Sequence, residues 1–234
     1  MRRLGETAVC VTLGLVLVGT WLVEPYSVVS GSMHPTLLGP HREFDCAVCD
    51  RHALLAADVD PMPDRAAFCP HCKSGGPIED RLPVVPGDAL LVDRRAFWFR
   101  APRRWEVIAF RLPAEAAKVA VKRIAGLPGE TVELVGGRVW IDGAPATDAP
   151  PHLDYTPPRW RHGPVRWKLG PDEYFVLGDN PVLSDDSRTW TGGPGVATQQ
   201  VVGKPFMVHA PRRLWTVAGR PFNVPDVSAI RYIH

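Results

Sequence analysis

Ser32 stands in the stretch Val-Val-Ser-Gly-Ser-Met-His-Pro-Thr-Leu-Leu, residues 28–38. A serine hydroxyl attacks a carbonyl only when a base takes its proton and donors hold the oxyanion that forms. Arginine keeps its proton under physiological conditions, whereas a buried lysine can give its proton up. Of the 27 basic residues, all but Lys73, Lys118, Lys122, Lys168 and Lys204 are arginine. Lys122 lies in the apolar run Val-Ala-Val-Lys-Arg-Ile, 119–124, where Ala120 and Ile124 should share its strand face. Burial there would disfavour the ammonium form and lower the pKa from about 10.4 towards neutrality. Lys118 precedes the run among alanines and reads as exposed. A histidine base is the rival arrangement, from His34, two residues beyond Ser32, or from His209. The chain has no G-x-S-x-G elbow around Ser32 to favour it.

A second set of reactive side chains lies between these two. Cys46-x-x-Cys49 and Cys69-x-x-Cys72 are separated by 19 residues. Paired C-x-x-C knuckles offer four thiolates to one tetrahedral ion, so the spacing points to a structural Zn2+ held by Cys46, Cys49, Cys69 and Cys72. Two disulfides are the alternative, and His52 or His71 could replace one thiolate. Cys10 lies in an apolar run and reads as packing.

The elements that must position this chemistry are mostly strands. Gly31 allows close approach or unusual backbone angles, and Pro35 biases His34 towards extended geometry. Ser32 is thus expected in a stiff, mostly extended segment. Pro86–Asp93, Trp105–Leu112, Val119–Ile124, Tyr174–Leu177 and Val201–Val208 read as strands. Thr131–Val135 and Arg138–Ile141 alternate around Gly136-Gly137 as a hairpin. Ala144–Pro171 reads as a long irregular cap. The tail from Pro211 to His234 carries no second span and no further signal.

Ahead of Ser32, Thr7–Val23 is apolar and uncharged, at the short end of what crosses a bilayer. Arg2 and Arg3 precede it, and no lysine or arginine follows until Arg42. The charge bias places the amino terminus in the cytoplasm and the rest outside. Leu22-Val-Glu-Pro-Tyr offers no small-x-small cleavage site, which favours an uncleaved anchor. Ser32 would then lie within roughly 30 Å of the bilayer edge even if the intervening chain were fully extended. Phe97–Trp105 mixes aromatics with arginines, either as core with a solvated rim or as a loop resting on lipid. A formal net charge of +2 gives no case for nucleic acid as a partner.

Three motifs occur in order: Ser30-Gly-Ser-Met-His-Pro, then Val121-Lys-Arg-Ile-Ala-Gly-Leu-Pro-Gly, then Gly178-Asp-Asn with Ser184-Asp-Asp-Ser-Arg. On these the chain resembles type I signal peptidases, the membrane-anchored serine proteases of the serine-lysine type. The resemblance covers Pro25–Leu38, Val85–Gly143 and Glu173–Val208. It implies a mainly β fold, with an antiparallel sheet or partly open barrel behind a single N-terminal transmembrane helix. The four-cysteine segment is an added zinc-ribbon-like insertion. Residues 1–24 would be the cytoplasmic tip and anchor, 25–40 and 82–210 the catalytic domain, 41–81 the insertion and 211–234 a tail.

The resemblance also implies roles. Ser32 is the nucleophile and Lys122 the general base. The Ser32 N–H and the Ser30 hydroxyl form the oxyanion hole, and Met33 walls the substrate pocket. Ser184 hydrogen-bonds the lysine amine, while Asp186 and Arg188 pair to brace the site. No cofactor takes part in catalysis. Substrates are signal peptides of exported preproteins, cut after small-x-small sequences of the Ala-x-Ala kind. The setting is the cell membrane, with lipid as a partner and the catalytic domain on the extracytoplasmic face. A membrane-tethered zinc-ribbon peptide-binding protein with an inactive peptidase core is the alternative from another class. Self-cleavage is a remoter one.

Overall fold

Short apolar runs rich in Val, Ile and Phe, punctuated by Gly and Pro, make this chain a series of antiparallel strands. The computed structural model describes residues 10, 12, 14, 19, 21–57, 67–68, 75–76, 82–112, 115–151, 153, 155, 165–209, 211–217 and 220–233. In chain order the strands are β1 (Val23–Ser27), β2 (His41–Asp45), β3 (His52–Ala56), β4 (Ala67–Phe68), β5 (Gly75–Gly76) and β6 (Ala89–Asp93). Then follow β7 (Val107–Arg111), β8 (Val119–Gly126), β9 (Thr131–Val135), β10 (Arg138–Ile141), β11 (Ala144–Pro145) and β12 (Val165–Lys168). The last are β13 (Glu173–Leu177), β14 (Gly195–Ala197), β15 (Val201–Val208), β16 (Arg212–Val217), β17 (Arg220–Pro225) and β18 (Arg231–Tyr232).

Eight strands form the main sheet in the order β1-β6-β15-β7-β8-β13-β14, with β18 added to β15. The order is far from sequential, so residues distant in the chain meet across it. A second sheet, β11-β10-β9-β12, carries the expected hairpin: Gly136 and Gly137 supply its turn at φ 57° and 81°. The mainly β, antiparallel character agrees with the sequence.

Three apolar clusters fill the interior. One packs Met33 and Leu37 with Leu90, Val107, Val208 and Ile233. Another joins Ile108, Phe110, Ile124, Tyr174, Val176 and Val196, with Ala120 against it. The third, around Ala125, Val132, Leu153, Tyr155 and Phe175, joins the two sheets. Burying these side chains is the main driving force for the fold.

Several expectations need correction. Residues 144–171 are not wholly irregular: β11 and β12 lie there and pair with β10 and β9. The tail is structured, since β16 and β17 form a hairpin and β18 rejoins the main sheet. Val23, expected to end the apolar span, instead opens β1 and faces Asp93 of β6. Among the described residues no helix is long and apolar enough to cross a membrane, and most of Thr7–Val23 lies outside them.

The insertion leaves and rejoins the sheet domain at one point. His41 and Val85 exchange two backbone hydrogen bonds, 3.0 and 2.8 Å. Beyond this doorway β2 and β3 pair on either side of Cys46–Cys49. Likewise β4 and β5 pair on either side of residues 69–72, Ala67 facing Gly76 and Phe68 facing Gly75. Cys46 is buried and Cys49 half-buried, whereas Cys69 and Cys72 lie outside the described residues. Among the described residues no group of side chains assembles a metal site.

Candidate active site

Three segments converge on Ser32: the loop 28–38 after β1, strand β8, and the loop 178–189 after β13. The first is not the extended stretch expected. Gly31–Met33 form one 3-10 turn, with Ser30 and His34 extended on either side and the His34-Pro35 bond cis. Gly31 takes no positive φ. The close approaches occur elsewhere: a Cβ on Gly39 would overlap the Ser30 carbonyl, and one on Gly178 would sit 2.5 Å from the Ser32 carbonyl oxygen. Loop 178–189 is closed at its neck by Val176 and Ser187. The Val176 N–H donates to Ser187 Oγ at 2.9 Å, and the Ser187 N–H donates back to the Val176 carbonyl at 3.2 Å.

Lys122 Nζ donates to Ser32 Oγ at 2.7 Å, and both residues are only 6 % exposed. Lys122 lies within β8, two residues from both Ala120 and Ile124, the spacing of one strand face. Burial pushes the Lys122 amine below its ordinary pKa. The carboxylates of Asp186, Asp185 and Asp179 pull the other way, and Arg188 lowers it further. Burial is the largest of these effects, so the amine is biased towards its neutral, proton-accepting form. Lys118 pairs with Glu115 at the surface, Lys204 with Glu106, and Lys168 donates to the Gly129 carbonyl. Neither His34 nor His209 is the hydrogen-bonded partner of Ser32; those are Lys122 and Ser30.

Ser30 Oγ donates to Ser32 Oγ at 3.1 Å, so its hydroxyl stands beside the atom that would attack. Asp186 and Arg188 pair as expected: Arg188 Nε and Nη2 reach the two Asp186 oxygens at 2.8 and 2.9 Å. Asp186 Oδ2 also accepts from the Gly178 N–H at 2.9 Å, which ties this pair to the turn under Ser32. Arg188 lies over the Tyr155 ring, and Tyr155 donates to the Gly178 carbonyl at 3.0 Å. Asn180 is turn-forming, with its Oδ1 accepting from the Val182 and Leu183 N–H groups. Its own N–H donates to the Ser32 carbonyl at 3.0 Å.

Met33 flanks Ser32, is 2 % exposed and packs into the core with Leu37 and Leu90. One expected contact differs. The hydrogen bond from Ser184 to the lysine amine is not made. Ser184 Oγ is buried with no partner among the described residues, and it packs over Gly178, in the space a Cβ would need. The Lys122 amine instead points its proton at Ser32.

Sequence reasoning misses a second buried pair. It assigns Asp179 no role, yet this side chain is wholly buried against Arg123. Thr36 Oγ1 donates to the same carboxylate, so the pair joins β8, the Gly178-Asp-Asn turn and the nucleophile loop. The available signal is the arginine directly after Lys122: a charge inside an apolar run needs a partner. Nothing local says which residue that partner is.

Comparison with known proteins points to one family. The family described as "Signal peptidase, peptidase S26" matches residues 75–210. Signal peptidase I of Leptolyngbya laminosa is 36 % identical over 154 residues, covering 60 % of this chain and 67 % of that one. A probable signal peptidase I-1 of Synechocystis is 30 % identical over 162 residues, covering 66 % of this chain and 79 % of that one. The crystal structure of a signal peptidase I from Enterococcus faecalis V583 aligns with a TM-score of 0.38 and 28 % identity, over 45 % of this chain and 97 % of that one. With more than half of its length matched by the family, this chain belongs to the signal peptidases of the S26 peptidase family.

Proposed function

We propose that this chain is a membrane-anchored serine endopeptidase that removes N-terminal signal peptides from exported preproteins, with Ser32 as nucleophile and Lys122 as general base. The observation that carries it is the 2.7 Å hydrogen bond between the Lys122 amine and the Ser32 hydroxyl in a site from which water is largely excluded. Ser32 Oγ attacks the scissile carbonyl while neutral Lys122 Nζ takes its proton. Lys122 then hands that proton to the leaving amine, and the reverse sequence with water releases the acyl product. The Ser32 N–H and the Ser30 hydroxyl stabilise the oxyanion. The substrate lies extended as an added strand and presents small side chains, Ala-x-Ala in the simplest case, before the cut.

The apolar run from Thr7 to Leu22 anchors the chain with its amino terminus inside, on the charge bias of Arg2 and Arg3. β1 starts directly where that run ends and leads within a few residues to Ser32, which would hold the chemistry near the lipid surface. The insertion binds one structural Zn2+ through Cys46, Cys49, Cys69 and Cys72. Paired strands on both sides of each C-x-x-C support this, since such knuckles at hairpin turns present two thiolates apiece. The metal would staple a segment too small to hold a core of its own.

The test uses the full chain in detergent with a synthetic signal peptide containing Ala-x-Ala. Cleavage after the second alanine is expected, and Lys122→Ala should abolish it while the peptide still binds. Full activity in Lys122→Ala would remove the dyad. Binding without cleavage by the unaltered chain would favour a peptide-binding protein with an inactive core.

A further inference from the structure

The carboxyl-terminal strand reaches back to the loop that carries the nucleophile. Asp88, 3 % exposed, holds both ends of that loop. Its carbonyl accepts from the Val28 N–H at 2.8 Å, and its N–H donates to the Leu38 carbonyl at 2.8 Å. Its Oδ2 also accepts from the Leu38 N–H at 2.9 Å. Both ends of the loop 28–38 are therefore bound to one residue, through its backbone N–H and C=O and its carboxylate. A buried carboxylate requires a cation or a full set of donors. Here the cation is Arg231 of β18, whose Nη2 donates to Asp88 Oδ2 at 2.6 Å and to the Thr36 carbonyl at 3.3 Å.

β18 is itself held in place. Tyr232 and Arg231 face Met207 and Val208 of β15, and the Ile233 N–H donates to the Phe206 carbonyl at 2.9 Å. Ile233 packs in the same cluster as Met33 and Leu37, the residues that flank the serine turn from below. Two independent contacts, one ionic and one apolar, thus run from the last residues of the chain to the segment holding Ser32. Both lie beyond residues 75–210, the stretch matched by the family.

We propose that Arg231 is a positioning residue for the reaction: by clamping Asp88 and the Thr36 carbonyl, it sets where Ser32 Oγ stands before Lys122 Nζ. Its catalytic consequence rests on the serine-lysine reading above; the clamp itself does not. Releasing it lets the loop lift from the sheet, which lengthens the Ser32–Lys122 contact. It also admits water to the amine, whose burial is what keeps it neutral.

The experiment compares the full chain with Arg231→Ala and Arg231→Lys by hydrogen exchange and by cleavage of the Ala-x-Ala peptide. In Arg231→Ala, exchange of the peptide spanning 28–38 should speed up while that of β9–β10 stays as it was. The kcat should fall roughly ten- to hundredfold, as expected when a reacting group is displaced by about an ångström. The KM should change less than about twofold. The acid limb of the pH–rate profile should move to higher pH, and Arg231→Lys should recover part of each effect. If Arg231→Ala does not fold, Arg231→Gln, which keeps a donor without the charge, decides by the same readouts. Unchanged exchange over 28–38 would overturn the clamp. Faster exchange with unaltered kcat and pH profile would overturn its role in positioning. Lys122→Ala, assayed alongside, separates the two readings: activity surviving there removes the dyad and leaves the exchange result to judge the clamp.

Discussion

Arg123 and Asp179 form a two-point ion pair, Nε to Oδ1 at 2.9 Å and Nη2 to Oδ2 at 2.7 Å, with side chains only 4 % and 0 % exposed. Arg123 also donates to the Trp105 carbonyl at 2.7 Å, where the backbone takes a left-handed φ of 66°. Lys122, its neighbour in β8, has no such two-point partner; its amine donates to the Ser32 hydroxyl. Adjacent cations on one strand are thus treated in opposite ways. One is neutralised by a carboxylate and braces the fold, and the other is buried beside a hydroxyl, where desolvation lowers its pKa.

Breaking the brace should be costly. Asp179→Ala leaves Arg123 buried without its carboxylate and deprives Thr36 of its acceptor. The expected loss is about 3–5 kcal/mol, the usual result of removing one partner of a buried pair. Urea denaturation measures it. A loss no larger than that of a surface substitution would show that water reaches Arg123.

The lowered pKa of Lys122 should appear in the kinetics. With Lys122 as the proposed base the neutral amine is the active form, so kcat/KM should rise with pH through the folded-state pKa, at a pH below the ordinary lysine range. A profile that climbs only near the ordinary value of 10.5 would mean a solvated amine.

The same shift has a cost in stability, and its sign is opposite to that of a salt-bridged carboxylate. Between the lowered folded pKa and the unfolded value of 10.5, the unfolded chain binds more protons than the folded one. Stability therefore rises with pH across that window, and the penalty is fully present below the folded pKa. Lys122→Met, which removes the charge at similar volume, should abolish cleavage yet raise the Tm at neutral pH. The gain should shrink as pH approaches the upper end of the window. Thermal scans of both proteins at several pH values check it, and a lowered Tm in the variant would count against a desolvated lysine.

Gly178 should tolerate no side chain. An added Cβ would overlap Ser184 Oγ and lie 2.5 Å from the Ser32 carbonyl oxygen. Gly178→Ala must push the serine loop and the 178–189 loop apart, at a cost of about 1–3 kcal/mol or more. Cleavage should fall further than stability, because the displaced group carries the nucleophile. An alanine variant with normal kcat would mean the two loops separate freely.

Metal analysis decides the cysteines. One zinc per chain is expected, lost in Cys69→Ser, with proteolysis then nicking between His41 and Val85 while cleavage activity survives in part. Four oxidised cysteines would replace the zinc ribbon with two disulfides. Cleavage measured with residues 41–81 removed reports what the insertion adds.

Local information determined a good deal of this protein. Short apolar runs bounded by Gly and Pro marked β6, β7, β8, β13 and β15, and alternation around Gly136-Gly137 marked the β9–β10 hairpin. The scarcity of lysine singled out Lys122, and the order of three short motifs pointed to the serine-lysine reading. The resemblance also implied the pairing of Asp186 with Arg188, which the structure forms. What stayed hidden depends on contacts between distant segments. Arg123 meets Asp179 across 56 residues and Arg231 meets Asp88 across 143. Neither partner carries any local sign of the other, and burial turns each from a solvated charge into an obligate pair. The tail gave no pattern because β18 is two residues long and its meaning comes wholly from the edge it joins. Only the folded sheet decides which polar side chains are shut away from water together, and it brings a hydroxyl and an amine, 90 residues apart in the chain, within 2.7 Å of each other.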